Sequence, residues 1–299
     1  MTTQNTRSYL TKWKKSVMLA VIAFCVVAQL AMAQDNSTLR FIEKHKIYDG
    51  SNGFKEPSGL AFRAGELLSV SDNAGAIYTL DAEGSINEKA SFEIPAKDLE
   101  GITLLDDDIA LVVEEERTRV LTVNLVKRRV IAETSLSDMT GADRVAALRT
   151  NTPKNKSLEG ITVDRSNGVI YVVTEAEPRL LLSIAPDLSE IMDIWLLSEQ
   201  VGFSVEGIED SALDVSGITV SPSTGNLWIV SDQARTLFEF NLTNSKTKSY
   251  PLKYQNHGKT YQIKHAEGIA IDPEERRIYI VNDDGKDSHL YGFALPTSP

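Results

Sequence analysis

The chain has 299 residues, 42% hydrophobic and 24% charged, values that suit a folded domain and exclude a disordered or collagen-like chain. Its 31 Lys and Arg stand against 42 Asp and Glu, a net charge of −11, so it lacks the basic surplus that contact with a phosphate backbone requires, and no nucleic-acid partner is expected. One Cys and four His cannot build a zinc cluster or a disulfide framework, which leaves carboxylates and backbone oxygens as the groups available for chemistry.

Residues 1–33 read as an address. Arg7, Lys12, Lys14 and Lys15 form a positive start, the apolar run Val17–Val27 follows, and Ala31-Met32-Ala33 supplies the small residues of a cleavage site. This is the order of a signal peptide: charge to orient, a short apolar helix to insert, and small residues to be cut. The run falls short of the roughly 20 residues that span a bilayer comfortably. The alternative is an uncleaved N-terminal anchor, attached to the inner membrane through residues 16–33. Both readings export the domain 34–299, to the periplasm or to its membrane face. Cys25 belongs to the apolar run, with bulky Phe24 where a lipobox has a small residue. Without residues 1–33 the chain holds 27 basic and 42 acidic residues, net −15, and no Cys.

One phrase then returns five times. It reads Pro57-Ser58-Gly59-Leu60-Ala61, Leu99-Glu100-Gly101-Ile102-Thr103, Leu158-Glu159-Gly160-Ile161-Thr162, Val215-Ser216-Gly217-Ile218-Thr219 and Ala266-Glu267-Gly268-Ile269-Ala270, with glycines 42, 59, 57 and 51 residues apart. Periods of this size indicate an array or a propeller. Each phrase opens a run of short strands, such as Ile218–Val220, Leu227–Val230 and Leu237–Asn241, rich in β-branched and aromatic residues and punctuated by Pro, Gly, Asn and Asp. Ser137–Lys156 and Leu196–Leu213 are insertions that stretch two of the spacings. The fold expected is all-β, a single five-bladed β-propeller, which deals with exposed sheet edges by radial repetition. The last unit has three strands, so the N-terminal stretch Leu39–Tyr48 is expected to supply its outer strand and close the ring. Glu206-Gly207-Ile208 repeats the core of the phrase, which makes six blades the main alternative.

The phrase, followed by Trp228-Ile229-Val230-Ser231-Asp232 or Tyr279-Ile280-Val281-Asn282-Asp283, resembles the SdiA-regulated (YjiK-like) family of exported bacterial β-propeller proteins over residues 38–296. The resemblance implies a five-bladed propeller with a calcium site, distantly similar to NHL-repeat propellers. The chain departs from a uniform phrase in two blades, which carry Ser where the others carry Glu.

Two sets of oxygens are expected at one end of the central channel. Ser58, Glu100, Glu159, Ser216 and Glu267 start the innermost strands. Asp72, Glu115, Glu175, Asp232 and Asp283 fall where each second strand runs into its loop. Antiparallel neighbours put the start of one strand beside the end of the next, so both sets face the same mouth. At about 7 Å and an effective dielectric near 20, each pair of bare carboxylates repels by roughly 2 kcal/mol, which raises their pKa values or recruits a counter-ion. Oxygen donors without His or Cys suit a hard ion, and Ca2+ tolerates six to eight oxygens in irregular geometry. Glu100, Glu159 and Glu267 are the expected ligands, completed by Ser58 and Ser216. The outer set is the weaker candidate, since loop-end carboxylates commonly bond nearby backbone N–H groups. Arg117, Arg179, Arg235 and Lys286 follow the outer set by two to four residues. They are read as surface partners of those carboxylates, an anion site being the other option.

No nucleophile elbow, zinc-protease, P-loop or dinucleotide motif occurs. The function expected is that of a calcium-binding platform for a small-molecule or protein ligand at the channel mouth. The alternative is a metal-dependent phosphoester or lactone hydrolase using a cation at the central-channel mouth, with His265 or a spare carboxylate as its base.

Overall fold

Each of the five phrases starts the innermost strand of a four-stranded antiparallel sheet in the computed structural model, which describes residues 38–47, 51, 53–150, 157–175, 177–274 and 276–296. The first sheet runs β2 (Pro57–Arg63), β3 (Glu66–Ser71), β4 (Ala74–Leu80) and a two-residue β5 (Phe92–Glu93). The second runs β6 (Leu99–Leu104), β7 (Ile109–Glu114), β8 (Arg119–Asn124) and β9 (Arg129–Ser135). The third runs β10 (Leu158–Val163), β11 (Ile170–Thr174), β12 (Leu180–Ile184) and β13 (Ile191–Leu196). The fourth runs β14 (Gly217–Val220), β15 (Leu227–Ser231), β16 (Thr236–Asn241) and β17 (Lys246–Pro251). In the fifth, β20 (Ala266–Asp272), β21 (Arg277–Asn282) and β22 (His289–Ala294) are completed by β1 (Arg40–Lys46), which pairs antiparallel with β22. The N-terminal strand therefore closes the ring, as expected from the missing strand of the last unit.

The inner strands touch in a closed cycle, β2 to β6 to β10 to β14 to β20 and back to β2. Period-two alternation builds the core between blades, because successive side chains leave a strand on opposite faces. Val112 joins the cluster shared with the first blade, while its neighbours Leu111 and Val113 join the cluster shared with the third. The same division recurs at Val172 against Tyr171 and Val173. Five such clusters fill the five gaps, and Phe41 of β1 packs on Phe293 and carries its own strand into the last of them.

Both insertions contain helical turns. The first holds α1 (Ala142–Leu148), and the second holds two 3-10 turns at Glu199–Val201 and Asp210–Ala212. Glu206-Gly207-Ile208 lies between those turns and opens no strand, so the blades number five. A hairpin that the strand pattern did not announce, β18 (Lys253–Asn256) with β19 (Lys259–Gln262), links the fourth blade to the fifth. Among the described residues no helix is long and apolar enough to cross a membrane; the apolar run at 17–27 lies outside the described residues.

Candidate functional site

A bulge starts four of the five inner strands. Leu99 pairs with Glu114 and Ile102 with Val112, so Glu100 and Gly101 together oppose the single residue Val113. The same two-against-one register places Ser58-Gly59, Glu159-Gly160 and Glu267-Gly268. A bulge bends its strand and re-aims a side chain, here the residue before each glycine, toward the channel mouth. In the fourth blade pairing begins at Gly217, and Ser216 N–H donates to the Val230 carbonyl at 3.0 Å.

The glycines explain why the phrase keeps that residue. A Cβ on Gly59 or Gly101 would lie 2.6 Å from the carbonyl oxygen of Glu100 or Glu159 in the next blade, and on Gly217 or Gly268 only 2.2 Å from that of Glu267 or Ser58. Gly160 meets Ile218 N at 2.8 Å. Each inner strand thus presses its backbone on the next around the whole ring, an approach that excludes any side chain at that position.

Above this constriction opens a cavity of about 320 Å³, lined by all ten oxygen-bearing residues picked out from the repeat. Ser58, Glu115, Glu159 and Ser216 are buried and the other six partly buried. The inner and outer sets meet in two triads: Glu159 with Glu115 and Glu175, and Glu100 with Asp72 and Asp98. In each triad one carboxylate oxygen per residue lies within 4.8 Å of the others. Glu267 feels Asp232, Asp214 and Asp283 together with Glu100.

Burial and like charge dominate the electrostatics. Burial, reinforced by Asp72, Glu115 and Asp98, pushes the Glu100 carboxyl up to about 8, although the Ser58 hydroxyl pulls it the other way. Burial first, then the neighbouring carboxylates, holds Glu159 and Glu267 well above the usual range. Burial and a hydrogen bond shared with Asp98 raise Asp72 to about 6. Glu159 is only 8% exposed and accepts no hydrogen bond from any described residue. A buried carboxyl without a donor is costly in either protonation state.

A third tier escaped the repeat reading. Two residues before each phrase position stand Glu56, Asp98, Ser157, Asp214 and His265. The carbonyls of Glu56, Asp98, Ser157 and His265 accept the N–H groups of Asp72, Glu115, Glu175 and Asp283, which pins the outer carboxylates beside the inner strands. Glu56 and Asp214 also line the cavity, bringing the carboxylates among its described lining residues to ten, with no Lys, Arg or His among those described residues. Asp214 is itself held by Ser231 Oγ at 2.6 Å and Gln233 N–H at 3.0 Å. The outer carboxylates are partly engaged locally: Asp283 accepts Gly285 N–H at 3.2 Å, Asp232 accepts His265 N–H, and Glu115 accepts Ser157 N–H at 2.6 Å.

The cations after the outer set do not gather at the mouth. Arg179 is 1% exposed and donates to the carbonyls of Leu197, Asp210 and Leu213 and to Asp210 Oδ1 at 2.6 Å, so it clamps the second insertion instead of pairing with Glu175. Arg235 donates to Gln262 Oε1 at 2.6 Å, and Arg117 lines a separate groove beside the first blade. The first insertion brings another cation instead: Arg149, which caps α1, feels the charges of Glu115 and Glu175, while burial lowers its pKa.

A family model described as SdiA-regulated matches residues 43–285. Among solved structures, a glutaminyl cyclase of Myxococcus xanthus is similar with a TM-score of 0.56 and 13% identity, over 88% of this chain and 100% of that one. At that identity the likeness shows the fold alone. A luciferin-regenerating enzyme matches with a TM-score of 0.48 and 12% identity, over 84% of this chain and 95% of that one. A streptogramin B lyase matches with a TM-score of 0.43 and 15% identity, over 79% of this chain and 64% of that one.

Proposed function

The chain belongs to the SdiA-regulated family, and on that footing we propose that it is an exported calcium-binding β-propeller whose acidic mouth serves as a platform for a small-molecule or protein ligand. The observation that carries the reading is Glu159, buried, without a hydrogen-bond donor among the described residues, and with a carboxylate oxygen within 4.8 Å of those of Glu115 and Glu175. A cation turns that repulsion into attraction, and the donor set contains oxygens alone, which suits Ca2+.

Glu100, Glu159 and Glu267 are the residues that would hold the ion, with Ser58 and Ser216 beside them and Asp72, Glu115, Glu175, Asp232 and Asp283 around the rim. A bound Ca2+ supplies an electrophilic centre for ligand oxygens, since six to eight donors exceed what one side of a channel mouth presents. The protein's own part is to keep the carboxylates convergent, through the bulges below and the carbonyl pins beside them. Hydrolysis needs a base at the same place. The His265 ring is exposed, stands 3.6 Å from Asp232 and is not among the described residues that line the cavity, which leaves a spare carboxylate as the base; no carboxylate there is set apart for that role, and the reading preferred is non-enzymatic.

Calorimetric titration of the chelated protein with Ca2+, paired with thermal melts, tests the reading. Saturable binding that raises Tm, and a weaker response to Mg2+, is the result expected. An unchanged Tm across chelation and Ca2+ addition would overturn it.

A further inference from the structure

Between Glu239 and Glu267 the chain carries Lys246, Lys248, Lys253, Lys259 and Lys264 and no carboxylate, in a protein with net charge −11. The structure gathers these lysines on one flank. Lys246 and Lys248 lie on β17, the outer edge of the fourth blade, Lys253 and Lys259 on the β18–β19 hairpin, and Lys264 on the link to β20. All five are exposed, and none has a carboxylate partner among the described residues.

The hairpin holds the flank together. Tyr254 stacks on Phe41 of β1 at 4.7 Å and on Tyr261 at 5.3 Å, and Lys44 of β1 sits 5.4 Å from the Tyr254 ring centre. Lys44 and Arg40, both exposed on β1, therefore extend the basic surface into the closing strand. Tyr261 remains 43% exposed beside Lys259 and Lys253.

We propose that this flank docks on the headgroups of anionic phospholipids. Each lysine near such a surface adds roughly fivefold to affinity, and five on one edge suffice for a docking that neither the acidic mouth nor the net charge permits elsewhere. An exposed tyrosine among lysines suits the headgroup layer, where amphipathic rings concentrate. The chain also approaches β1 from the apolar segment at residues 16–33. That segment ends six residues before Arg40 of β1, at most about 20 Å of chain, so an uncleaved leader would keep this flank within reach of the bilayer. Lipid is therefore favoured over an acidic protein or polysaccharide. The proposal stands apart from the cation site.

The test is lysine acylation read by mass spectrometry, on the full chain mixed with phosphatidylcholine vesicles or with vesicles containing phosphatidylglycerol. Lys246, Lys248, Lys253, Lys259 and Lys264 are expected to be protected by the anionic vesicles at about 0.1 M salt and released near 1 M, where the Debye length shrinks to about 3 Å. The Lys253→Glu/Lys259→Glu double variant is expected to need at least about tenfold more anionic lipid for the same protection of the other three, with its Ca2+ titration unchanged. Equal labelling in both vesicle types overturns the proposal. So does protection by heparin or an acidic protein where anionic vesicles give none.

Discussion

The Ser58 hydroxyl reaches across from the first blade to the second and lies 2.7 Å from both the carbonyl oxygen and Oε2 of Glu100. Ser216 makes the matching move from the fourth blade to the fifth, donating to the Ala266 carbonyl at 2.6 Å. The two serines in the repeated phrase are thus donors placed among acceptors. Ser58→Ala removes the interaction that favours the ionised form of Glu100, so its carboxyl is expected to titrate above the value of about 8 that it has with the serine present. Carbon-detected NMR titration of Glu100 follows this directly, and an unmoved or lowered midpoint counts against the pairing.

The raised carboxyls also set the pH dependence of the metal-free protein. Asp72 near 6, Glu100 near 8, and Glu159 and Glu267, both held well above the usual carboxylate range, all bind protons more tightly in the folded chain than in the unfolded one. Their contribution to stability is therefore present below about pH 4 and is lost as pH rises through the folded values, at about 1.4 kcal/mol per pKa unit and group at most. Melts in chelator should show Tm falling from pH 5 to pH 9. Saturating Ca2+ should flatten or invert that slope, with protons released on binding. A flat Tm in chelator contradicts the assignment.

The five blades and the inner oxygen set are legible in the sequence because each recurs beside one glycine, the outer set because it ends each second strand 13 to 15 residues after that glycine, and the closing strand because the last unit lacks one. What the repeat could not show is why they converge. The bulge at Glu100-Gly101 has no residue signature beyond the glycine, and it decides which way the glutamate points. Asp98 and Asp214 escape that reading because their tier runs Glu, Asp, Ser, Asp and His, with no residue type common to all five; the feature that Glu56, Asp98, Ser157 and His265 share is a backbone carbonyl that pins the outer set, to which side-chain identity is indifferent. Arg179 was misplaced for a similar reason. Its distance from Glu175 along the chain suggested a surface pair, yet the second insertion folds over it and supplies three carbonyls and Asp210.

The glycine ring predicts a steep cost for a small change. In Gly217→Ala the new methyl group falls 2.2 Å from the Glu267 carbonyl oxygen, and both partners are backbone in inner strands that cannot swing aside. Overpacking of this kind costs roughly 1–3 kcal/mol, and the upper end is expected here because the neighbour is not a flexible side chain. Urea denaturation measures it, and a loss under about 0.5 kcal/mol, the scale of an ordinary surface substitution, contradicts the close approach.

Arg179→Ala is expected to cost roughly 3–5 kcal/mol, because it strips the carbonyls of Leu197, Asp210 and Leu213 and the Asp210 carboxylate of one buried donor at once. The damage should be local before it is global. Limited proteolysis is expected to cut first within Leu197–Leu213 while the inner strands stay protected. Wild-type resistance of that segment in the variant contradicts the clamp.

Glu159→Gln separates a binding role from a structural one, because the two predict opposite signs. Folding the metal-free chain at neutral pH leaves Glu159 with a choice between an unsupported buried charge and the uptake of a proton that the unfolded chain does not bind. Glutamine keeps the volume and removes both costs. The variant is therefore expected to melt above wild type in chelator, by about 2–4 °C per kcal/mol recovered, with the gain growing from pH 5 to pH 9. In Ca2+ the order should reverse, since a lost anionic ligand weakens binding by at least about tenfold, ~1.4 kcal/mol. The crossing of the two melting series is the diagnostic result. A variant less stable than wild type in chelator would make Glu159 a structural residue, and one with unchanged Ca2+ affinity would remove it from the cation site.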